Sequence, residues 1–318
     1  MPIVALGILF AVYMILLIVN DYKISMSLTA FINQAIIIAF VATGAIFIFT
    51  LGSFDISLGA STLFSATIGV MVYISTGSVF AMFIVCILVA VACSLLNSVI
   101  AAVFHLPMFV TTVAMLSVLT AVASNIIQTE GSATGTSYAI SVPYAMRAGL
   151  EAFNSPILKL IVLAVFALIC VFVFEFTKIG RKQKFLGGNP ICAKMSGISV
   201  GIFGIIAFVM AGIGVGLGAG MTIVYAPSVS TTTAGSIGMS VFIAIVFGGM
   251  PISGGARSRI YAALVGGTSY ILLQNILNIL LQSMGGARDG WVQLISAITF
   301  LAVVFVTGMN YRTKNLPR

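Results

Sequence analysis

The chain has 318 residues, 61% of them hydrophobic and only 6% charged, with a mean hydropathy of +1.24. A soluble domain carries about 25% charged residues and a membrane span takes about 20 apolar ones, so the composition excludes a soluble fold and leaves no room for a catalytic domain. The net charge of +8 does not point to nucleic acid, because the cations fall in loops between apolar runs, where they orient a membrane protein.

In chain order the apolar runs are 3–20, 27–50, 57–76, 79–103, 108–128, 156–176, 201–225, 236–249, 259–283 and 291–310. They predict an all-α polytopic membrane protein, a single domain over 1–318 with about ten transmembrane helices. The first run lacks a basic flank and a cleavage site, and reads as a span rather than a signal peptide. Alternation from a cytoplasmic N-terminus puts the 177–200 loop, the 250–258 loop with Arg257 and Arg259, and the tail inside. Those segments hold ten of the fourteen Lys and Arg, which predicts that both termini are cytoplasmic.

The second run ends in G-S-F-D-I-S-L-G-A, residues 52–60. Asp55 is the only acid between Asp21 and Glu130, and a carboxylate at membrane depth needs a partner or a purpose. Capping of the third span is favoured over a proton relay. A short pattern, G-x3-I-S-x-G-A, occurs at 52–60 and again at 248–256. After the fourth run comes N-S-V-I-A-A-V-F-H-L-P-M-F-V-T-T, residues 97–112, whose His105 is expected to be an exposed loop residue.

The fifth run carries Ser117, Thr120, Ser124 and Gln128 at helical spacing. In the loop that follows, Met146, Leu150 and Phe153 predict a short helix lying on the membrane surface, with Arg147 and Glu151 near it for an external partner. Lys178 to Val200 is the longest polar interruption. Its second half predicts a short helix, with Asn189 as N-cap, Pro190 at the first position and Gly197 as terminator. Ala193 and Gly197 would form a shallow small face beside a ridge of Ile191, Met195 and Ile198.

Gly212, Gly216 and Gly220 on the seventh run predict close helix packing. The 247–260 turn holds Gly248, Gly249, Gly254 and Gly255, followed by Arg257 and Arg259, which would meet an acidic partner or lipid headgroups. On the ninth run Tyr270, Gln274, Asn278 and Gln282 follow four-residue steps, with Asn275 beside them. Amides are costly against lipid, so this face turns either to a neighbouring helix or to a solute path. Neither the cysteines nor the histidine offers metal or disulfide spacing, and no phosphate-binding loop, H-E-x-x-H or Ser-His-Asp set occurs.

Four of these stretches, in the same order, resemble ABC-type permeases of the ribose/galactose/xylose importer family. Residues 52–60 resemble its G-I-D-L-S-V-G signature. Residues 97–112 resemble N-G…I-P-P-F-I-x-T-L-G, with Ser98 and Met108 as departures. G-G-N-x3-A-x3-G-I from Gly187 resembles its coupling segment, and 247–260 its G-G-x-S-L-x-G-G-x-G-R-I turn. The resemblance implies a transmembrane transport subunit of the bacterial cytoplasmic membrane, not an enzyme. It implies that ATP and magnesium are bound by a separate ATPase docked at Gly187, Gly188, Asn189, Ala193 and Gly197. An extracytoplasmic binding protein and a second permease, identical or not, complete the implied assembly.

The implied structural signature comprises Asp55, Ser57, Gly59, Asn97, Gly248, Gly249, Gly254 and Gly255. The implied solute is monosaccharide-like, with Gln274, Asn275, Asn278, Gln282 and Gln128 as path candidates. Where the family has an acidic E-L-D-A-I-A, this chain reads G-S-I-G-M-S-V-F-I-A. An importer for a nucleoside, inositol or autoinducer, and a carrier or channel without an ATPase, stand as alternatives.

Overall fold

The computed structural model describes residues 2–133, 138–234, 236–251, 253–282 and 288–314. The side chains of Arg288, Arg312 and Lys314, together with Gly235, Ile252 and Arg318, lie outside the described residues. The first helices are α1 (Pro2–Val19), α2 (Ile24–Thr50), α3 (Leu58–Thr76), α4 (Val79–Val103) and α5 (Met108–Ala133). A strand β1 (Ala139–Ser141) and the short α6 (Arg147–Glu151) lead to α7 (Pro156–Val171), which runs on as a π-turn over Phe172–Phe176. Then come α8 (Lys178–Gly188), α9 (Pro190–Met195), α10 (Val200–Tyr225), β2 (Ser228–Ser230), α11 (Ile237–Phe247), α12 (Tyr261–Leu280) and α13 (Arg288–Lys314).

Eight helices among the described residues are long and apolar enough to cross a membrane. The two other expected spans differ. α11 has 11 residues, and the apolar part of α13 runs over Gly290–Ala302. At 1.5 Å per residue α11 is about 16 Å long, half the hydrocarbon core. Large apolar side chains on α1, α4, α5 and α7 face outward, as lipid-facing helices require.

The core is built around α2, buried from Ala35 to Thr50, and α10, which lies between α2 and α4. Glycine makes that fit. A Cβ at Gly212 or Gly216 would come 2.7 or 2.4 Å from the Cα of Val91 or Ile87 on α4, and one at Gly220 2.4 Å from the Phe83 ring. On the other side, a Cβ at Gly214 would sit 2.5 Å from the Phe40 oxygen of α2, and one at Gly44 2.6 Å from the Met210 oxygen. Only glycine permits this approach on both faces.

The helices form two halves of inverted order, α2–α5 and α10–α13. α4 packs on α10 as α12 packs on α2; α3 lies on α4 as α11 lies on α12; α5 follows α3 as α13 follows α11. The local sequence agrees, since Ser57-Leu58-Gly59-Ala60-Ser61 opens α3 and Ser236-Ile237-Gly238-Met239-Ser240 opens α11. Their contact is reciprocal. A Cβ at Gly59 would lie 2.8 Å from the Ala234 oxygen and 3.0 Å from the Gly238 nitrogen; one at Gly238 would lie 2.6 Å from the Ile56 oxygen and 3.3 Å from the Gly59 nitrogen. Such mutual burial is what a local two-fold produces.

The two G-x3-I-S-x-G-A stretches are therefore not structural counterparts. Residues 52–57 precede α3, whereas 248–256 follow α11.

The short α6 also departs from expectation. Leu150 is buried, and Met146 and Phe153 pack into the cluster around Tyr73 and Ile140, so this side faces protein rather than the membrane surface. The Tyr73 hydroxyl donates to the Met146 carbonyl at 2.7 Å, and Arg147 Nε donates to the Val142 carbonyl at 3.2 Å. The antiparallel ribbon β1–β2 closes this end of the molecule. His105 is exposed, as expected, at φ 52°.

Candidate coupling platform and membrane cavity

Where α3 and α11 begin, two positive helix ends meet. Asp55 is buried beside them. Its Oδ1 accepts from the Ser57 amide at 2.7 Å and the Ser57 hydroxyl at 2.6 Å. From α4, Asn97 Nδ2 donates to Asp55 Oδ2 at 3.3 Å and to Ser57 Oγ at 2.8 Å. Burial raises the Asp55 carboxyl above its usual range, and the Ser57 and Asn97 hydrogen bonds oppose that shift. Asp55 accepts from none of the first-turn amides of α3, so it does not cap that helix as expected; with Ser57 and Asn97 it forms a buried knot just before the helix, and Gly59 packs beside it on Ala234 and Gly238.

At the basic end of the molecule, the 177–200 stretch folds as two helices, not one. Thr177 caps α8, its Oγ1 accepting from the Ile179 amide at 3.1 Å; Asn189 caps α9, its Oδ1 accepting from the Cys192 amide at 3.0 Å. Gly197 has φ +76°, the left-handed stop expected of it, and open space where a Cβ would stand.

The small face does not exist as expected. Ala193 is fully buried and packs with Leu186 and Ile198, while Ile191 and Met195 stand 74% and 85% exposed. The i to i+4 pairing with Gly197 fails because Gly197 already lies past the end of α9, which closes at Met195.

The platform is seated on both halves through glycine. A Cβ at Gly187 would come 1.7 Å from the Thr50 oxygen, at the end of α2. That oxygen accepts from the Gly255 amide at 2.9 Å. A Cβ on Gly254 (φ +68°) would lie 2.5 Å from the Phe49 and Thr50 oxygens, and one on Gly255 (φ +86°) 3.1 Å from the Gly188 Cα. A Cβ on Gly249 would come 3.2 Å from Pro2, so the N-terminal helix begins at this same end. Gly248 packs against Ala262 at the start of α12.

Glu175, in the π-turn, joins the parts electrostatically. Lys184 of α8 lies 2.6 Å from its Oε2, and Arg259 lies 3.3 Å from its Oε1. Arg259 thus finds the acidic partner expected for it within the chain.

A cavity of about 590 Å³ opens between α11, α12 and α13, lined by Ser236, Ser240, Tyr270, Gln274, Asn278 and Ser296 among others. Gln274 Nε2 donates to the Tyr270 hydroxyl at 2.7 Å. A second cavity, of about 500 Å³, lies between α3 and α5, where Ser117, Thr120 and Thr231 are its polar lining. Of the expected path residues, the structure brings Gln274 and Asn278 together in the first cavity. Asn275 points the other way, donating to Gln34 on α2 at 3.2 Å. Gln282 accepts from Tyr22, and Gln128 is exposed near the far end of α5. Ser236 and Ser240 stand four apart at the start of α11 and Ser296 lies on α13, so no single stripe in the sequence joins the three.

A family described as branched-chain amino acid transport system / permease component matches residues 27–304. The ribose import permease protein RbsC of Haemophilus influenzae is 25% identical over 287 residues, covering 90% of this chain and 85% of that protein. RbsC of Escherichia coli K12 is 27% identical over 135 residues, covering 42% of this chain and 40% of that one. The probable ABC transporter permease protein YphD of the same organism is 28% identical over 210 residues, 64% of this chain and 57% of the relative. No solved structure gives a match. With a bundle of long apolar helices matched along most of its length, the chain belongs to this family of transport-system permease components and is a multi-pass protein of the inner membrane.

Proposed function

We propose that the chain is the permease subunit of an ATP-driven ABC importer, moving a monosaccharide-like solute handed over by an extracytoplasmic binding protein. The observation that carries the reading is the α8–α9 platform. It is a capped, basic pair of helices with Ile191 and Met195 exposed at its tip, wedged by Gly187 and Gly255 against both halves of the bundle. An exposed apolar pair with Lys194 on the same short helix suits a partner's groove. Force applied there passes into α2 and the 248–260 turn without a flexible linker. On this reading the platform is cytoplasmic, the separate ATPase docks on it, and the β1–β2 end faces the binding protein. The solute path takes in Gln274 and Asn278. The relatives' printed names favour ribose as the first solute to try.

The test is reconstitution in liposomes with the ATPase and binding protein. Uptake should be blocked by vanadate, and Met195→Glu should abolish binding-protein-stimulated ATP hydrolysis while leaving an inserted, folded permease. Vanadate-insensitive uptake by the chain alone would favour a secondary carrier.

A further inference from the structure

The cations of α8 fall into two groups. Lys184 is held by Glu175, as is Arg259 of the neighbouring turn. Lys178, Arg181 and Lys182 are exposed, and among the described residues no carboxylate forms an ion pair with them. They stand at i, i+3 and i+4, and Phe185, 45% exposed, continues the same stripe one turn on. The opposite side of the helix, Gly180, Gln183 and Leu186, is buried. Outward, then, α8 presents one narrow basic strip.

A second, independent feature says what the strip faces. On α7 the exposed apolar side chains Leu168, Ile169, Phe172 and Phe176 run down to the last turn before α8. Phe172 and Phe176 stack on each other with ring centroids 6.1 Å apart and are 63% and 70% exposed, as side chains in hydrocarbon are. Lys178 follows Phe176 by two residues, so the edge of the hydrocarbon falls between them. There the chain turns back. Thr177 is extended, and a Cβ at Gly180 would run into the Phe174 oxygen, so the first turn of α8 lies against the end of α7 instead of prolonging it. On the other flank Lys182 sits 5.7 Å from the Phe203 ring, where Val200, Ile202 and Ile205 at the start of α10 are exposed. The strip thus lies at headgroup level between two lipid-facing helix ends.

We infer that the outer strip of α8 binds the headgroups of anionic phospholipids. Lys178, Arg181 and Lys182 hold the phosphate, and the upper part of an acyl chain lies on Phe172 and Phe176. Arginine grips a phosphate through a fork of N–H donors and the lysines add point charges. A zwitterionic headgroup brings its own ammonium and gains far less from three cations. A groove on a soluble partner would also suit a basic strip, but the adjoining Phe172 and Phe176 stand in the bilayer, out of such a partner's reach. Lipid bound here fixes one edge of the platform at the membrane surface and leaves the α9 tip, with Ile191 and Met195, for the soluble partner. The inference needs the membrane placement of the bundle and not the importer reading.

The test uses the full-length permease alone in phosphatidylcholine vesicles. Trp291 is the only tryptophan of the chain, so Phe172→Trp in a Trp291→Phe background puts a single fluorophore beside the strip, on the hydrocarbon side. Its quenching by brominated phosphatidylglycerol is compared with that by phosphatidylcholine brominated at the same acyl positions. Phosphatidylglycerol should bind there about threefold more strongly or better, and the preference should fall to about parity when Lys178→Gln, Arg181→Gln and Lys182→Gln are combined, or in molar salt. Quenching by brominated phosphatidylcholine must stay the same in every variant, which shows that each is inserted. Lys194→Gln on α9 should keep the preference, and a Phe80→Trp reporter at the other end of the bundle should show none. Equal quenching by the two lipids in the parent overturns the site, and so does a preference that survives the triple substitution. Adding the ATPase subunit should leave the preference standing; if it abolishes it, the strip belongs to that partner and the lipid site is overturned.

Discussion

The first and second halves use the same helix order and the same serine-glycine entry into a helix, yet the turn before that helix is held differently in each. In the first, Asp55, Ser57 and Asn97 form a buried knot that ties two chain segments, the 51–57 crossing and α4, together. In the second, Ala234 stands at the matched position with φ 64°, and Ser236 lines a polar cavity with Asn278. The first half is thus sealed at this turn and the second open, and inverted repeats need not carry the same side-chain chemistry at matched turns.

The largest effect should come from breaking the sealed half. Asp55→Leu leaves Ser57 and Asn97 buried without their acceptor, a loss on the order of 3 kcal/mol, and should remove the monodisperse peak on size-exclusion chromatography. Asp55→Asn keeps an Oδ1 acceptor for Ser57 and should survive. The raised pKa gives the sign of a pH effect. The folded state holds the proton more readily than the unfolded one, so the contribution of Asp55 is present at low pH. It is lost as pH rises through the raised value, and Asp55→Asn should flatten that slope in thermal melts.

Sealing the open half is the complementary experiment. Ala234→Asp places a carboxylate at the matched position, in a left-handed conformation that Asp tolerates better than Ala. The melting temperature should rise by a few degrees while uptake falls several-fold; unchanged uptake would mean the two ends are not equivalent.

Next in size is the seat of the platform, which touches both halves. Gly187→Ala forces a Cβ onto the Thr50 oxygen, and should give folded permease whose ATPase partner no longer responds to loaded binding protein. Gly197→Leu has open space around it and costs only the left-handed backbone, about 1 kcal/mol, so a partial loss of coupling is expected. The smallest effect belongs to Lys182→Ala, which loses one cation–π contact with Phe203 at 5.7 Å. Uptake should remain within twofold.

Much of this comparison is legible in the sequence, though not the comparison itself. Asp55 announces itself as a lone acid in an apolar stretch that needs a partner, but the partner it takes, Asn97 on α4, is not written in the turn it occupies. The glycines of α10 at four-residue spacing speak plainly for packing, and the structure adds the second glycine face toward α2. The ninth-run stripe breaks for a geometric reason. α12 closes at Leu280, so its last member, Gln282, no longer follows the helical period. Gln274 and Asn278 share the cavity, while Gln282 meets Tyr22.

The α8 helix is hidden because its buried side consists of Gly180, Gln183 and Leu186, which give no apolar period. Ala193 reads as surface only because the length of α9 is not written in its residues. The repeat escapes a pattern match because glycine-serine turns crowd this chain. The true counterparts share fewer letters but abut one another.

The double-faced glycine contact of α10 also has a mechanical meaning. With backbone set against backbone at Gly212 and Gly216 toward α4 and at Gly214 and Gly44 between α10 and α2, these three helices have little compliant side-chain packing between them there and travel as one stiff plank. Whatever tilts during a transport cycle tilts around that plank. Any hinge then lies outside it, in the 51–57 and 226–234 crossings and in the outer helix α13.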